Sequence, residues 1–374
     1  MTEIKQGLQD VVVSESTISC IDGQKGVLVY SGIDIHELAK NSTFEETAYL
    51  LLHRKLPNQK ELDSFTEVLK AHRQVPDGVI ELIRRLPKTT EPMDALRTAA
   101  SALSSYEEQP NDKSLNQQMR RVLQLIAQMA TLVAAFQRIR SGQEVISPSR
   151  ELTHAENYLY MMKGEKPDST AARAIDIALI LHADHGLNAS TFAARVTTST
   201  LSDVYSAVTS AIGTLKGPLH GGANQAVMEM LLDIGEKGDP IAYVKKALDE
   251  GKKVMGFGHR VYRTEDPRAT HLRTMSEEAC RATGNAHWYK MSHKIEEYIK
   301  SEKGIYANVD FYSASVYYSL GIPTDLFTLL FAMSRIAGWG AHILEQYENN
   351  RLIRPRLQYV GPKDAHWVPI EKRS

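Results

Sequence analysis

Cysteine is nearly absent: Cys20 and Cys280 are the only two in 374 residues, and no Cys-x-x-Cys pair exists. That excludes a disulfide framework and points to a reducing compartment, the cytoplasm. A charge excess of either sign is missing too, with Lys+Arg 44 against Asp+Glu 45. A polyanion-binding surface spread over the whole molecule is therefore excluded, and no nucleic-acid partner is expected. The longest apolar stretches are broken by charge, as Arg335 breaks FAMSRIAGWGAHIL, so no membrane span is expected. The opening residues MTEIKQGLQD mix both charges without an apolar run, unlike a signal or transit peptide. Internal repeats, low-complexity tracts and long linkers are also lacking.

What is present is helix-forming sequence, enough for two domains sharing one extensive core. Residues 17–30, TISCIDGQKGVLVY, place two short β-branched runs around Asp22-Gly23 and Gly26 and predict a small hairpin, the one sheet of note. Ser42 and Glu45 have capping-box spacing before a helix that closes at Leu56-Pro57, and Thr153 and Glu156 repeat the spacing with Gly164 at the far end. Val122, Leu125, Ile126, Met129, Leu132, Val133, Phe136 and Ile139 mark one helical face that ends at Gly142. The stretch 171–181 is apolar almost all round, which predicts a helix buried in a large core. The fold class expected is all-α apart from the hairpin.

Four segments carry polar residues that a helical core does not need: HADHGLNAS (182–190), GPLHGGAN (217–224), MGFGHRVYRTEDPRA (255–269) and NVDFYSAS (308–315). In the second, His220 lies between Gly217-Pro218 and Gly221-Gly222, a break where backbone can approach a ligand closely, or a plain inter-helix turn. Just before a helix N-terminus its imidazole is biased towards the neutral form, suited to a carbonyl that becomes an enolate. His182 and His185 fit either core positions or the negative end of their helix. His259 follows a Gly-x-Gly that any tight loop could contain, and Asp310 could simply cap the next helix. Lys252, Lys253, Arg260, Arg263, Arg268 and Arg273 outweigh Glu265 and Asp266, as a solvated face or as a cradle for a phosphate-bearing ligand. Arg335 amid apolar residues requires an anionic partner, from protein or ligand, and Arg354 beside Pro355 reads either as a carboxylate clamp or a solvated loop.

Taken together and in this order, these segments closely resemble citrate synthases of the short bacterial and archaeal form. The similarity runs from GLQDVVVSESTISCIDG through PMDALRT and the four segments to SRIAGW and NNRLIRPR. The resemblance implies a helical homodimer in which a large domain, 1–216 and 322–374, and a small domain, 217–321, close over a cleft. It implies condensation of acetyl-CoA with oxaloacetate, the reaction that feeds acetyl units into the tricarboxylic acid cycle. By the same resemblance His220 bonds the thioester carbonyl, Asp310 removes the methyl proton and His259 polarises the ketone. His185, Arg268, Arg335 and Arg354 hold the oxaloacetate, with Arg354 contributed by the partner subunit. Coenzyme A contacts fall to Lys252, Val254, Met255, Gly256, Phe257, Gly258 and Arg263, with CoA as co-substrate and neither a resident cofactor nor a metal.

Two departures stand out: Glu91-Pro92-Met93 where His-Pro-Met is common, and Phe327-Thr328-Leu329 where Phe-Thr-Pro is common. PMDALRT also resembles 2-methylcitrate synthases, which use propionyl-CoA, so that activity is the alternative. From a different class, His182, Asp184 and His185 could ligate a metal in a lyase or hydrolase. A noncatalytic helical scaffold is the third reading, disfavoured by three separated histidines and a buried arginine.

Overall fold

The computed structural model describes residues 4–8 and 11–373; residues 1–3 and part of the GLQD stretch lie outside them. Three short antiparallel strands, β1 (Ser19–Asp22), β2 (Val27–Tyr30) and β3 (Ile33–Asp34), form the one sheet among the described residues. The expected hairpin is there, its turn closed by the Asp22 carboxylate accepting from the Gln24 and Lys25 amides; β3 extends it by a strand that no periodicity announced.

Sixteen α-helices follow among the described residues, in agreement with the all-α expectation. They are α1 (Ile35–Asn41), α2 (Phe44–His53), α3 (Gln59–Ala71), α4 (Asp77–Arg85), α5 (Pro92–Ala102), α6 (Leu115–Arg140), α7 (His154–Lys163), α8 (Ser169–His182), α9 (Ala189–Ser199) and α10 (Val204–Leu215). The rest are α11 (Ala223–Ile234), α12 (Pro240–Asp249), α13 (Pro267–Ala282), α14 (Ala286–Lys303), α15 (Val309–Ser319) and α16 (Phe327–Glu348). The Thr153–Glu156 capping box forms at α7, and Gly164 ends that helix in the left-handed region. The Ser42–Glu45 box does not form. Thr43 caps α2 instead, accepting from the Glu46 amide, while Glu45 turns inward and accepts from the His154 amide at 2.7 Å. A tertiary hydrogen bond thus takes the carboxylate that the local pattern had assigned to the cap.

The core is built around α16, buried along almost its whole length and packed against α2, α6, α8, α9 and α10. α13 packs on α15 and α14, and α11 on α15; α13 also touches α1 and α8. Helix α6 and the stretch Thr324–Glu348 are long and apolar enough to cross a membrane, yet 72% and 100% of their apolar windows are buried inside the protein. A helix apolar all round is what the centre of a large helical core requires.

The C-terminal end of α8 meets α16 by backbone. The Gly338 amide donates to the Ala183 carbonyl at 3.1 Å, and a Cβ at Gly338 would stand 2.3 Å from that oxygen and 2.5 Å from Asp184 Oδ1. Gly338→Ala is therefore expected to push the two helices apart and destabilise the protein by about 1–3 kcal/mol, the usual cost of overpacking. Thermal unfolding of the variant checks this; an unchanged midpoint would mean that the helices separate without strain.

Candidate active site

Four carbonyls in the last turn of α8 and just beyond it find partners outside the helix. Ser334 donates to Leu179, Arg335 Nε donates to His182 at 2.7 Å, and the Tyr30 hydroxyl donates to Asp184 at 2.8 Å, while Gly338 serves Ala183. Arg335 is buried, its guanidinium stacked 4.6 Å from the Phe331 ring centre. Of the two sources open for its anionic partner, protein or ligand, no protein carboxylate is in ion-pair range among the described residues. Burial lowers its pKa to about 10, and Asp184 and Tyr30 resist that from further away. A buried guanidinium with only its Nε committed offers its Nη groups to an anion.

His182 turns its Nδ1 to the Ala178 carbonyl at 2.8 Å, within its own helix. Asp184 is fully buried and accepts from the Ser19 hydroxyl and the Gly186 amide. His185 Nε2 lies 3.1 Å from the Tyr262 hydroxyl. The three side chains proposed as a metal set thus go to three different partners. No group of three His, Cys, Asp or Glu suited to a metal occurs among the described residues.

His220 sits in the turn before α11, whose first cap, Gly222, is left-handed at φ 83°. Its Nε2 faces the Ser190 amide at 3.2 Å and the Ser190 hydroxyl at 2.8 Å. A backbone N–H can only donate, so Nε2 is an acceptor and the proton sits on Nδ1. An amide at the start of α9, a helix remote in sequence, thus meets the ring directly. Burial pushes its pKa down to about 4, with Arg335 adding to the effect. Trp339 Nε1 steadies the same serine at 3.1 Å.

The loop with His259 is laced to the start of α15. The Gly258 amide donates to Tyr306, the Asn308 amide to Gly256, and the Asn308 side chain to Gly258, all at 2.9–3.0 Å. Gly256 has φ +82°, and a Cβ there would stand 2.7 Å from Val227 and 2.8 Å from Phe311, so glycine is required on both counts. His259 Nδ1 accepts from the Val261 and Tyr262 amides at 3.0 and 3.2 Å, which puts its proton on Nε2. Burial, then Arg268, lowers its pKa to about 4. Burial also holds His185 well below the usual range, followed by the charges of Arg268, His259 and Arg335.

Asp310 does not cap α15: Asn308 does, accepting from the Asp310 amide at 3.0 Å. Its carboxylate makes no hydrogen bond within the described chain. Burial raises its pKa to about 6; Arg268 and Arg335 oppose the rise and Asp266 supports it. Arg268 is buried and held in a two-pronged pair by Asp266, at 2.9 and 2.8 Å, and the Asp266 oxygen that meets its Nη2 also accepts from the Val309 amide at 3.3 Å. Burial opposes its charge, but Asp266 outweighs that and raises its pKa. The Arg335 charge bears on His185, His220 and Asp310 alike, which gathers residues from α15, α16 and two loops into one site.

Arg354 is not brought there: it is exposed in the segment after α16 and contacts none of the site residues. Lys252 is exposed and paired with Glu250 at 2.7 Å, and with Val254 and Met255 it lines a cavity of about 370 Å³ beside the loop. Phe257 packs its ring at a tilt against Phe311, centres 4.5 Å apart, and the exposed Arg263 ties its amide to Gly23 at 2.8 Å. Glu91, one of the two departures, caps α5 through the Met93 and Asp94 amides and lies 3.4 Å from Lys216 at the root of the His220 turn; Leu329, the other, is buried in α16. Ser190 and Tyr262 were given no role from the sequence, and Asp266 entered only as a minority charge. For Asp266 a signal existed, since Asp-Pro at a helix start followed by Arg marks a cap two residues from a cation.

Residues 7–356 match the family described as citrate synthase, C-terminal domain. A citrate synthase of Haloferax volcanii is 53% identical over 99% of both chains, and a 2-methylcitrate synthase of Corynebacterium glutamicum is 41% identical over 100% of this chain and 99% of its own. The citrate synthase of Thermoplasma acidophilum, solved as a ternary complex with carboxymethyl coenzyme A and oxaloacetate, superposes over all of both chains with a TM-score of 0.93 at 36% identity. With motifs, fold and full-length similarity in agreement, the chain belongs to the citrate synthase family of acyltransferases.

Proposed function

We propose that this enzyme condenses acetyl-CoA with oxaloacetate and water to give citrate and CoA, the reaction that admits acetyl units to the tricarboxylic acid cycle. The observation that carries the reading is the pair of opposite tautomers. His220 presents Nδ1–H and His259 presents Nε2–H, with the unbonded carboxylate of Asp310 close to the same buried arginines. Asp310 takes a proton from the thioester methyl, and the negative charge it gives up moves to the carbonyl oxygen, where the His220 Nδ1–H hydrogen bond stabilises the developing enol. The enol carbon attacks the ketone carbon of oxaloacetate, and His259 donates to the oxygen that becomes the tertiary hydroxyl. Water then cleaves the citryl thioester and CoA leaves as the thiol. His185, Arg268 and Arg335 hold the dianion in attack geometry, an orientation effect of up to about 7–11 kcal/mol. Side chains do this work, with CoA as co-substrate and no resident metal in the scheme.

The rest of the reading concerns assembly. Residues 217–321 move as a small domain on the remainder, hinged at the Gly217–Gly222 turn and at Gly321 with Pro323, and closure excludes water during condensation. Leu352, Leu357, Val360 and Trp367 are exposed in the single chain, with Leu357 at 86% and Val360 at 85%, which supports a homodimer covering this segment and a partner-donated Arg354. Two unpaired cysteines fit the cytoplasm.

Acetyl-CoA is expected to be preferred over propionyl-CoA by roughly 10–200-fold in kcat/KM, the usual worth of one methylene. A thiol-release assay with both thioesters decides it, and a larger value for propionyl-CoA would make this a 2-methylcitrate synthase. Asp310→Asn is expected to cut turnover about 10²–10⁴-fold while calorimetric binding of oxaloacetate survives. In the unaltered enzyme, activity should fall as pH drops through about 6, where Asp310 takes up a proton while His220 and His259, near 4, stay neutral. Arg354→Ala and Asp310→Asn homodimers should each be inactive. Re-pairing equal amounts at random should restore about a quarter of the sites, because a mixed dimer holds one intact copy. Mixed dimers seen by mass spectrometry that release no CoA would mean Arg354 is not shared.

A further inference from the structure

We propose that Tyr262 is a positioning residue that sets the orientation of both imidazoles on the oxaloacetate side of the site, an inference that rests on the reading of His185 and His259 given above. Two different atoms of this one residue do the work. Its backbone N–H donates to His259 Nδ1 at 3.2 Å, and its hydroxyl pairs with His185 Nε2 at 3.1 Å. The first bond keeps the His259 proton on Nε2. The second leaves Nδ1 as the His185 nitrogen not committed to the tyrosine.

The ring completes the arrangement. Its centre lies 4.7 Å from the His259 ring and 5.5 Å from the His185 ring, and the two imidazoles are 5.1 Å apart at 66°. Tyr262 is only 4% exposed. Its loop is pinned on one side by the Gly258 amide on Tyr306 and on the other by the Arg263 amide on Gly23 at 2.8 Å. Gly23 belongs to the hairpin turn, and a Cβ there would come 2.3 Å from the Val261 carbonyl, so the sheet presses directly on the backbone that carries Tyr262. A phenol held this way has little freedom to lose when it orients a neighbour.

Tyr262→Phe removes the hydroxyl and keeps both the ring and the amide. It is expected to lower kcat/KM for oxaloacetate about tenfold, the worth of one buried hydrogen bond, while KM for acetyl-CoA stays within about twofold. If the hydroxyl acts through His185, the same change should cost less than about twofold in a His185→Ala background. An unchanged kcat/KM for oxaloacetate would overturn the proposal, as would a loss that persists in full without His185. Equal loss for both substrates with a lowered unfolding midpoint would also overturn it, since that marks a purely structural role. Calorimetric titration of the unaltered enzyme separates the two levels of inference: no oxaloacetate binding there would remove the site reading and the proposal with it, whereas normal binding together with an unaffected Tyr262→Phe variant would remove the proposal alone.

Discussion

Arg335 donates its Nε to the His182 carbonyl from the middle of a helix that has almost no solvent on any side. That bond holds the end of α8 against α16, and with it the positions of His182, Asp184 and His185. A guanidinium in such a place is costly unless its surroundings offer acceptors, and here its Nε finds the His182 carbonyl that a helix end leaves over. The geometry makes one group serve two ends. It closes a helix that would otherwise bury unsatisfied oxygen atoms, and it keeps a positive charge where an anionic substrate can meet it.

The second constraint is the lacing of the His259 loop to the start of α15. His259 and Asp310 are far apart in the chain, and the acid–base and ketone-polarising groups of the proposed reaction come together because Gly256, Gly258 and Asn308 bond as a short irregular ladder. Asp266 adds a bridge between the same elements, since one carboxylate meets both the Arg268 guanidinium and the first amide of α15. Backbone contacts of this kind are less tolerant than side-chain packing. Gly256 has two obstructed directions and a positive φ, so no other residue fits there without moving Phe311.

Neutral imidazoles with defined tautomers follow from the same principle. Amides from Ser190, Val261 and Tyr262 have nothing to do except donate, and each is aimed at a ring nitrogen. Burial removes the charged form, and the neighbouring arginines reinforce the choice. The carboxylate of Asp310 is biased the other way, upward, so that it meets a weak carbon acid as a stronger base than an exposed aspartate would be.

Much of this was legible in the residues themselves. Helical periodicity, the hairpin around Asp22-Gly23, the α7 capping box and the four polar segments are local patterns, and local patterns determine secondary structure and the inventory of chemistry because they depend on neighbours within a few positions. What was not legible has one cause. Glu45 left its expected cap for the His154 amide, Arg335 donates to the His182 carbonyl with no protein carboxylate in ion-pair range, and His220 accepts from an amide at the start of α9. Each was decided by a partner distant in the chain. The sequence by itself determined which side chains were available and on which kinds of element. Which nitrogen carries a proton, which carboxylate is left unbonded and which charges face one another were settled only by tertiary structure, because buried hydrogen bonds go to the donors and acceptors that packing brings within about 3 Å.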